Sequence, residues 1–158
     1  MKQTKLKTIA VVSACMMGML SSSAQGVMQR TANYHPDGRG FSCVNGNNRY
    51  TRALYGSVDE WRLETSDRPI FAIFKKNNHR NIRFVIKCNG QAFQLDSVEY
   101  CKARYEAGKR EYLMKDKRWG SGVLKLSVLA YPQTEGAVWK FAAENFGNEK
   151  IEIVRIII

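Results

Sequence analysis

The chain has 158 residues, of which 44% are hydrophobic and 11% aromatic. This length supports one domain with its own core. The formal net charge is +11, but the cations are scattered along the chain, which argues against a nucleic-acid-binding domain with a clustered basic face. An anionic glycan, such as a uronic-acid polymer, would be a more plausible acidic partner than nucleic acid. We expect instead that the cations lie on solvated strand faces and loop tips.

The first 24 residues have the parts of an export signal. Three lysines among the first seven residues precede an apolar run from Ile9 to Leu20, and small residues occupy Ser22 to Ala24. We predict a signal peptide over residues 1–24 that is cleaved before Gln25, because the apolar run is too short to span a bilayer comfortably. Export would place the protein in the periplasm or outside the cell, away from nucleic acid.

A second interpretation of the leader keeps the protein at a membrane. The stretch from Val12 to Cys15 resembles a lipoprotein box, which would attach a lipid to Cys15. The residues that follow, including Met16 and Met17, are apolar, whereas a lipoprotein tether is expected to be polar. We therefore predict plain secretion, with lipid anchoring at Cys15 as the alternative.

Residues 25–158 are predicted to form one antiparallel β-sandwich of about ten strands. Hydrophobic residues recur with a period of two, and turn residues separate short runs rich in branched and aromatic side chains. The dipeptide Asn89-Gly90 is a strong hairpin signal. Tight connections between successive strands favour an all-β antiparallel fold. The predicted strands are Phe41–Val44, Arg49–Leu54, Glu60–Thr65, Ile70–Lys75, Asn81–Cys88, Gln91–Leu95, Ser97–Glu106, Arg110–Lys115, Val123–Tyr131, Ala137–Glu144 and Ile151–Ile158.

The stretch NGNNRYTRALYG, Asn45 to Gly56, alternates cations with aromatic residues. One interpretation is an amphipathic strand whose arginines pack across aromatic rings or pair with carboxylates, so that the stretch forms a wall. The other is a polar and aromatic face that meets a sugar or an anionic ligand. On the second interpretation Arg49, Arg52 and Tyr55 are candidate ligand-binding residues.

A dense group of carboxylates follows, formed by Asp59, Glu60, Glu64 and Asp67. Glycoside hydrolysis needs two carboxylates that face each other across the scissile bond. We expect these groups instead to pair with nearby arginines, and we predict no catalytic residue in this chain. The arginines considered as partners are Arg49, Arg52, Arg62 and Arg68.

Three cysteines remain after removal of the leader, namely Cys43, Cys88 and Cys101. Their odd number and spacing match neither a disulfide framework nor a zinc site, so we predict buried free thiols. A bridge between Cys88 and Cys101 is the alternative. His35 and His79 each stand apart from other ligand residues, so no metal or cofactor is predicted.

The three tryptophans, Trp61, Trp119 and Trp139, are expected to pack in the core, as large aromatic residues on strands usually do. Trp119 is the best exception, because it lies between Arg118 and a glycine-containing loop. Such a tryptophan either presents its ring to a sugar or closes one end of the sandwich. Trp119 and Trp61 are therefore further candidate ligand-binding residues.

The last predicted strand, Ile151 to Ile158, is β-branched and has a single charge in its last five residues. Unless another element covers it, such a strand forms an exposed sheet edge that can pair with another chain. We therefore expect the chain to be the N-terminal part of a longer protein.

Several stretches resemble the N-terminal region of large exported glycan-processing proteins of Gram-negative gut bacteria, a region catalogued as a domain of unknown function. The most specific stretch is NGNNRYTRALYG, continued by EWRLETSDRPIFAIF from Glu60 to Phe74. The others are NIRFVI, ARYEAGKREYLMKD, WGSGVLKLSVLAY and EGAVWKFAAEN. One departure is Lys75 to Arg80, where the family tends to have a glycine-rich segment.

This resemblance implies a β-sandwich of the supersandwich type that precedes a helical-barrel, six-hairpin glycosidase-like module. The acid and base of such a glycosidase would lie in that module. The resemblance thus implies an accessory domain that is non-catalytic alone, with a glycan or the catalytic module as its partner. A carbohydrate-binding module, or a surface protein that binds anionic glycans, is the alternative function.

Overall fold

A computed structural model describes residues 33–56, 61–76, 78–131, 133 and 135–158. The predicted signal peptide and the alternative lipid site at Cys15 lie outside these residues, as do Asp59 and Glu60. None of the helices in the described ranges has the length and apolar character needed to span a bilayer.

The described residues form twelve strands and two single-turn 3₁₀ helices, Leu95–Ser97 and Lys117–Trp119, with no α-helix among them. Every strand pair among the described residues is antiparallel. The predicted all-β antiparallel fold is therefore confirmed, with twelve strands where about ten were expected. The strands are β1 His35–Asp37, β2 Gly40–Val44, β3 Arg52–Gly56, β4 Trp61–Thr65, β5 Phe71–Lys75, β6 Asn78–Cys88, β7 Gln91–Gln94, β8 Tyr100–Glu106, β9 Lys109–Lys115, β10 Val123–Tyr131, β11 Gly136–Glu144 and β12 Glu152–Ile157.

Three strand predictions were wrong by three residues at their N-terminal ends. The strand expected from Asn81 begins at Asn78. The strand expected from Arg49 begins at Arg52, because Tyr50 has a φ of 51°, which is left-handed and incompatible with an extended strand. The strand expected from Ser97 begins at Tyr100. The residues just before it form a 3₁₀ turn that ends at Ser97, where the Ser97 hydroxyl donates to the Gln94 carbonyl at 2.8 Å.

The strands form two sheets. The first sheet has the order β1-β2-β8-β9-β10-β11, and the second has the order β12-β6-β5-β4-β3, with β7 paired to one end of β6. The Asn89-Gly90 hairpin is confirmed: both residues have positive φ, 51° and 70°, and Cys88 lies opposite Gln91.

The core lies between the sheets and follows the period-two pattern. On β10, Leu124, Leu126 and Val128 are fully buried, while the alternate residue Lys125 is exposed. Phe71 of β5 meets Tyr112 of β9 edge to face, with 5.8 Å between ring centroids. Burial of each such large apolar side chain stabilises the fold by about 1.5–3 kcal/mol.

Candidate functional site

A buried carboxylate organises the loop that precedes β3. Asp67 is 1% exposed, and it accepts hydrogen bonds from the Asn48 backbone at 3.1 Å, from the Asn48 side chain at 3.0 Å and from the Thr51 hydroxyl at 3.2 Å. The Tyr34 hydroxyl donates a further bond to the same carboxylate. The three donors from Asn48 and Thr51 attach the loop Asn45–Thr51, named here the Asp67 loop, to the domain.

The sequence Asn45-Gly46 suits this arrangement. Asn45 has a φ of 52°, a left-handed conformation that asparagine tolerates better than most residues. Its backbone N–H donates to the Cys101 carbonyl and its Oδ1 accepts from the Cys101 N–H, both at 2.9 Å. Gly46 lies directly against Asp67, where any Cβ would be 2.5 Å from Oδ2. The turn residues therefore fix the loop as well as reverse the chain.

The cation beside Asp67 comes from the opposite sheet. Arg110 on β9 is fully buried, and its Nη2 lies 3.5 Å from Asp67 Oδ1. It also donates to the Tyr34 hydroxyl at 2.7 Å and to the Ser66 carbonyl at 2.9 Å. Burial and the hydrogen bond to Asp67 raise the pKa of Tyr34 to about 12, although the nearby Arg110 cation acts in the opposite direction. Arg110, Asp67 and Tyr34 thus form a polar cluster between the sheets.

The candidate residues Arg49 and Arg52 are exposed at this loop. Tyr50 is 37% exposed and its hydroxyl donates to Asn81 Oδ1 at 2.9 Å. The Arg52 guanidinium lies 5.4 Å from the centre of the Tyr34 ring and 5.9 Å from that of Tyr105, within cation–π range. The Asp67 loop and the start of β3 therefore present two cations and a tyrosine on a backbone that hydrogen bonds to Asp67 hold in place.

The two remaining candidates near β4 have different environments. Tyr55 on β3 is 44% exposed, whereas Trp61 on β4 is 4% exposed. Their ring centroids are 5.9 Å apart. Trp61 is therefore a core residue whose covered ring cannot act as a stacking platform in this conformation.

Trp119 closes the end of the sandwich, which is the second of the two alternatives open from the sequence. It is 4% exposed, with Phe93 and Phe146 each 5.7 Å away between ring centroids. Its indole N–H donates to the Gly122 carbonyl at 3.0 Å. Trp119 follows the C-terminal end of β9. Arg52 instead contacts Tyr105 of β8, which lies beside the N-terminal end of β9. The structure therefore does not bring the five candidate residues together.

An ion pair next to Trp119 was missed by sequence analysis. Asp116 accepts hydrogen bonds from the Arg118 side chain, Nε and Nη2 both at 2.6 Å, and from the backbone N–H groups of Arg118 and Glu99, both at 3.0 Å. The Arg118 guanidinium covers the Phe93 ring at 3.6 Å. The hydrogen bonds from Arg118 lower the pKa of Asp116 to about 2.

The two described carboxylates of the acidic group are already engaged. Glu64 pairs with Arg62 Nε at 2.8 Å, as expected. Asp67 pairs with Arg110 instead of the four arginines considered, because β9 brings this distant cation to it across the core. In the part of the chain that the structure describes, no group of three or more His, Cys, Asp or Glu could hold a metal ion.

The predicted free thiols are confirmed. Cys43, Cys88 and Cys101 are unpaired and buried, so the alternative bridge between Cys88 and Cys101 is wrong. Burial raises the pKa of Cys101 to about 12 and also raises the pKa of Cys43.

A shallow groove of about 240 Å³ lies on the solvent face of the first sheet. Its floor includes Leu113, and its cations already have carboxylate partners. Lys102 pairs with Asp37 at 3.0 Å and Lys125 with Glu144 at 2.7 Å. The lining residues are Lys102, Arg104, Glu111, Tyr112, Leu113, Lys125, Leu126 and Ser127.

The profile of a family described as "Domain of unknown function (DUF4450)" matches residues 78–157, from the start of β6 to the end of β12. The Asp67 loop precedes the matched region. No curated protein and no solved structure matches the chain. Because the match covers just over half of the 158 residues, the chain belongs to the DUF4450 family.

Proposed function

We propose that this chain is a non-catalytic accessory β-sandwich of an exported glycan-processing protein. The resemblance of the NGNNRYTRALYG stretch implies that the parent protein carries a glycosidase-like helical barrel, as in proteins of Gram-negative gut bacteria. The observation that carries the proposal is the attachment of the Asp67 loop to a buried carboxylate by three donors. The loop is the wall that borders the cleft of the catalytic module.

A preorganised loop suits this role. The backbone that carries Arg49, Tyr50 and Arg52 is fixed before any partner arrives, so little backbone conformational entropy remains to be lost on contact. Arginine and tyrosine are also enriched among residues that dominate binding energy at interfaces. A wall of this composition contacts either another module or the hydroxyl and carboxylate groups of a glycan.

The carboxylates support a non-catalytic role. A glycosidase needs two carboxyl groups roughly 5 to 9 Å apart on either side of the bond that breaks. Glu64 is held by Arg62, and Asp67 is 1% exposed with its oxygens occupied by loop donors. Neither group is available to a sugar in a cleft.

The first experiment tests for turnover. Protein expressed from the full chain is incubated with neutral and acidic plant polysaccharides, and reducing ends are counted over time. We expect no increase above the blank. Turnover that is lost in a folded Glu64→Gln or Asp67→Asn variant would overturn the proposal.

The second experiment tests the Asp67 loop by affinity electrophoresis in gels that contain the same polysaccharides. The double variant Arg49→Ala/Arg52→Ala is expected to lose retardation. The matched control, Lys117→Ala/Lys150→Ala, removes two cations whose side chains are 80% and 84% exposed elsewhere on the surface. If both double variants lose retardation equally, net charge is responsible and the loop has no specific role.

A second candidate function, the binding of an anionic glycan, is favoured by the groove on the first sheet. Lys102 and Lys125 flank Leu113 on three adjacent strands, so a carboxylated sugar over Leu113 would contact both ammonium groups in competition with Asp37 and Glu144. The double variant Lys102→Ala/Lys125→Ala should then weaken binding, and added salt should weaken the wild-type complex steeply. Unchanged binding of the variant would exclude this groove.

A further inference from the structure

Strand β12 lies at the edge of the second sheet and leaves half of its backbone groups free. The N–H and C=O groups of Ile158 both bond to Asn81 at 2.9 Å, so in an antiparallel ladder every second residue before it also faces β6. The groups of Ile153, Arg155 and Ile157 therefore point away from β6, and no strand in the described ranges pairs with that side.

The side chains of β12 are incompletely covered because the first sheet ends above the neighbouring strand. Phe84 of β6 packs against Phe141 of β11 with ring centroids 5.1 Å apart, so the last strand of the first sheet lies over β6. Ile157 lies opposite the core residue Ile82 yet remains 52% exposed. On the other face Val154 is 40% exposed.

Three other sheet edges are less suited to pairing. Strand β1 has three residues and contains Pro36, and β3 has an irregular register between Ala53 and Tyr55. Both features are known to protect edges. Strand β11 contains Gly136 and several alanines, which have low β propensity. Of these four described edges, only β12 combines a regular ladder with a β-branched sequence.

We propose that β12 pairs antiparallel with β12 of a second copy of this chain, so that the second sheet continues across a two-fold axis. The favoured register is centred on Val154, which places Val154 opposite itself and Ile153 opposite Arg155. Glu152 then lies opposite Ile156, and no like charges face each other directly. A register centred on Arg155 would oppose two guanidinium groups, which is unfavourable.

This register uses the free backbone groups. Ile153 and Arg155 are residues whose N–H and C=O groups point away from β6, so each copy forms a reciprocally hydrogen-bonded pair with the other. Two such pairs arise by symmetry. Val154, whose backbone bonds to β6, meets its counterpart at the non-hydrogen-bonded position on the axis, where side chains are closest.

The first test removes the backbone N–H of Arg155. This group points away from β6, so every hydrogen bond between β12 and β6 remains. Sedimentation velocity is measured on purified protein expressed from the full chain, as wild type, as Arg155→Pro and as the side-chain control Arg155→Ala. Proline deletes one inter-copy hydrogen bond in each copy, so we expect dimerisation to weaken roughly thirtyfold. The alanine control should dimerise like the wild type. A monomeric wild type, or a proline variant that dimerises equally, would overturn the proposal.

The second test addresses the register and does not depend on proline being tolerated. Val154→Lys places two ammonium groups face to face on the axis, and Val154→Glu does the same with carboxylates, so each variant alone should be monomeric. An equimolar mixture should recover a dimer, because the ammonium group of one variant then faces the carboxylate of the other across the axis. If the mixture remains monomeric while both variants are folded by circular dichroism, the proposed register is wrong.

Discussion

The carboxylate of Asp67 lies so close to Gly46 that a Cβ at position 46 would be 2.5 Å from Oδ2 and 2.8 Å from the Asp67 Cβ. This contact joins the turn of the Asp67 loop to a side chain that is 1% exposed. It explains physically why a glycine, rather than another turn residue, stands after Asn45.

The first prediction concerns this contact. Gly46→Ala should lower the free energy of unfolding by about 1–3 kcal/mol, because the added methyl group overlaps Asp67 and the loop must move. Urea unfolding followed by far-ultraviolet circular dichroism measures the change. The control Asn47→Ala, at an exposed position of the same turn, should stay within about 0.5 kcal/mol of the wild type. Equal stability of both variants would show that the loop can move away from the added methyl group without lowering the free energy of unfolding.

The second prediction concerns the buried pair of Asp67 and Arg110. Asp67→Asn leaves a buried guanidinium without its counter-charge and should cost about 3–5 kcal/mol of stability. Arg110→Met should cost a similar amount, and the double variant should cost less than the sum because neither charge is then unpaired. Glu64→Gln, which breaks a partly exposed pair, should cost about 0–1 kcal/mol. Additive effects of the first two substitutions would exclude coupling.

The third prediction is a pH dependence that arises from Asp116. Its pKa falls from 3.8 in an unperturbed side chain to about 2 in the folded protein, so below about pH 4 the unfolded chain binds a proton that the folded protein does not. The stabilisation is complete above the unfolded pKa and is lost as the pH falls towards 2.

Asp116→Asn removes this contribution. The stability difference between wild type and the variant should therefore be about 1–2 kcal/mol larger at pH of about 5 than at about 2, after allowance for solvent screening of the partly exposed Arg118. Urea titrations at the two pH values measure it. A difference that is independent of pH would contradict the assigned role of Asp116.

The fourth prediction concerns the thiols. Cys43, Cys88 and Cys101 are buried, and the high pKa of Cys101 leaves almost no thiolate for reaction. An aromatic disulfide reagent should label none of the three in the native protein and all three in denaturant. Native labelling should occur only at the rate of unfolding. Faster labelling of one thiol, located by mass spectrometry, would identify a locally open segment.

The fifth prediction concerns the leader. Export should produce a mature protein that begins at Gln25, because Ser22 to Ala24 supply the small residues at the cleavage site. N-terminal sequencing of protein from the periplasm and the medium is the measurement. A lipid-modified protein that begins at Cys15 would contradict plain secretion and favour a membrane anchor.

Local sequence determined the strands of the core and the hairpin that joins β6 to β7. The alternation of Leu124, Lys125 and Leu126 identifies which face of β10 is buried, because side chains of a strand alternate between two faces. Asn89-Gly90 identifies the turn for an equally local reason, since both residues tolerate positive φ. The β-branched composition of Ile151 to Ile158 predicted a strand, whereas the position of β12 at a sheet edge depends on its pairing with β6.

Tertiary structure alone decided the partners of polar side chains and the burial of loop residues. Arg110 carries the charge of a surface residue, yet it shares the buried face of β9 with Tyr112 and Met114. Asp67 and Tyr34 meet it there from segments outside the strands. Trp119 lies in a loop in the sequence, but Phe93 and Phe146 enclose it. A period-two pattern reports the two faces of one strand, whereas these contacts depend on how the two sheets are aligned across the core.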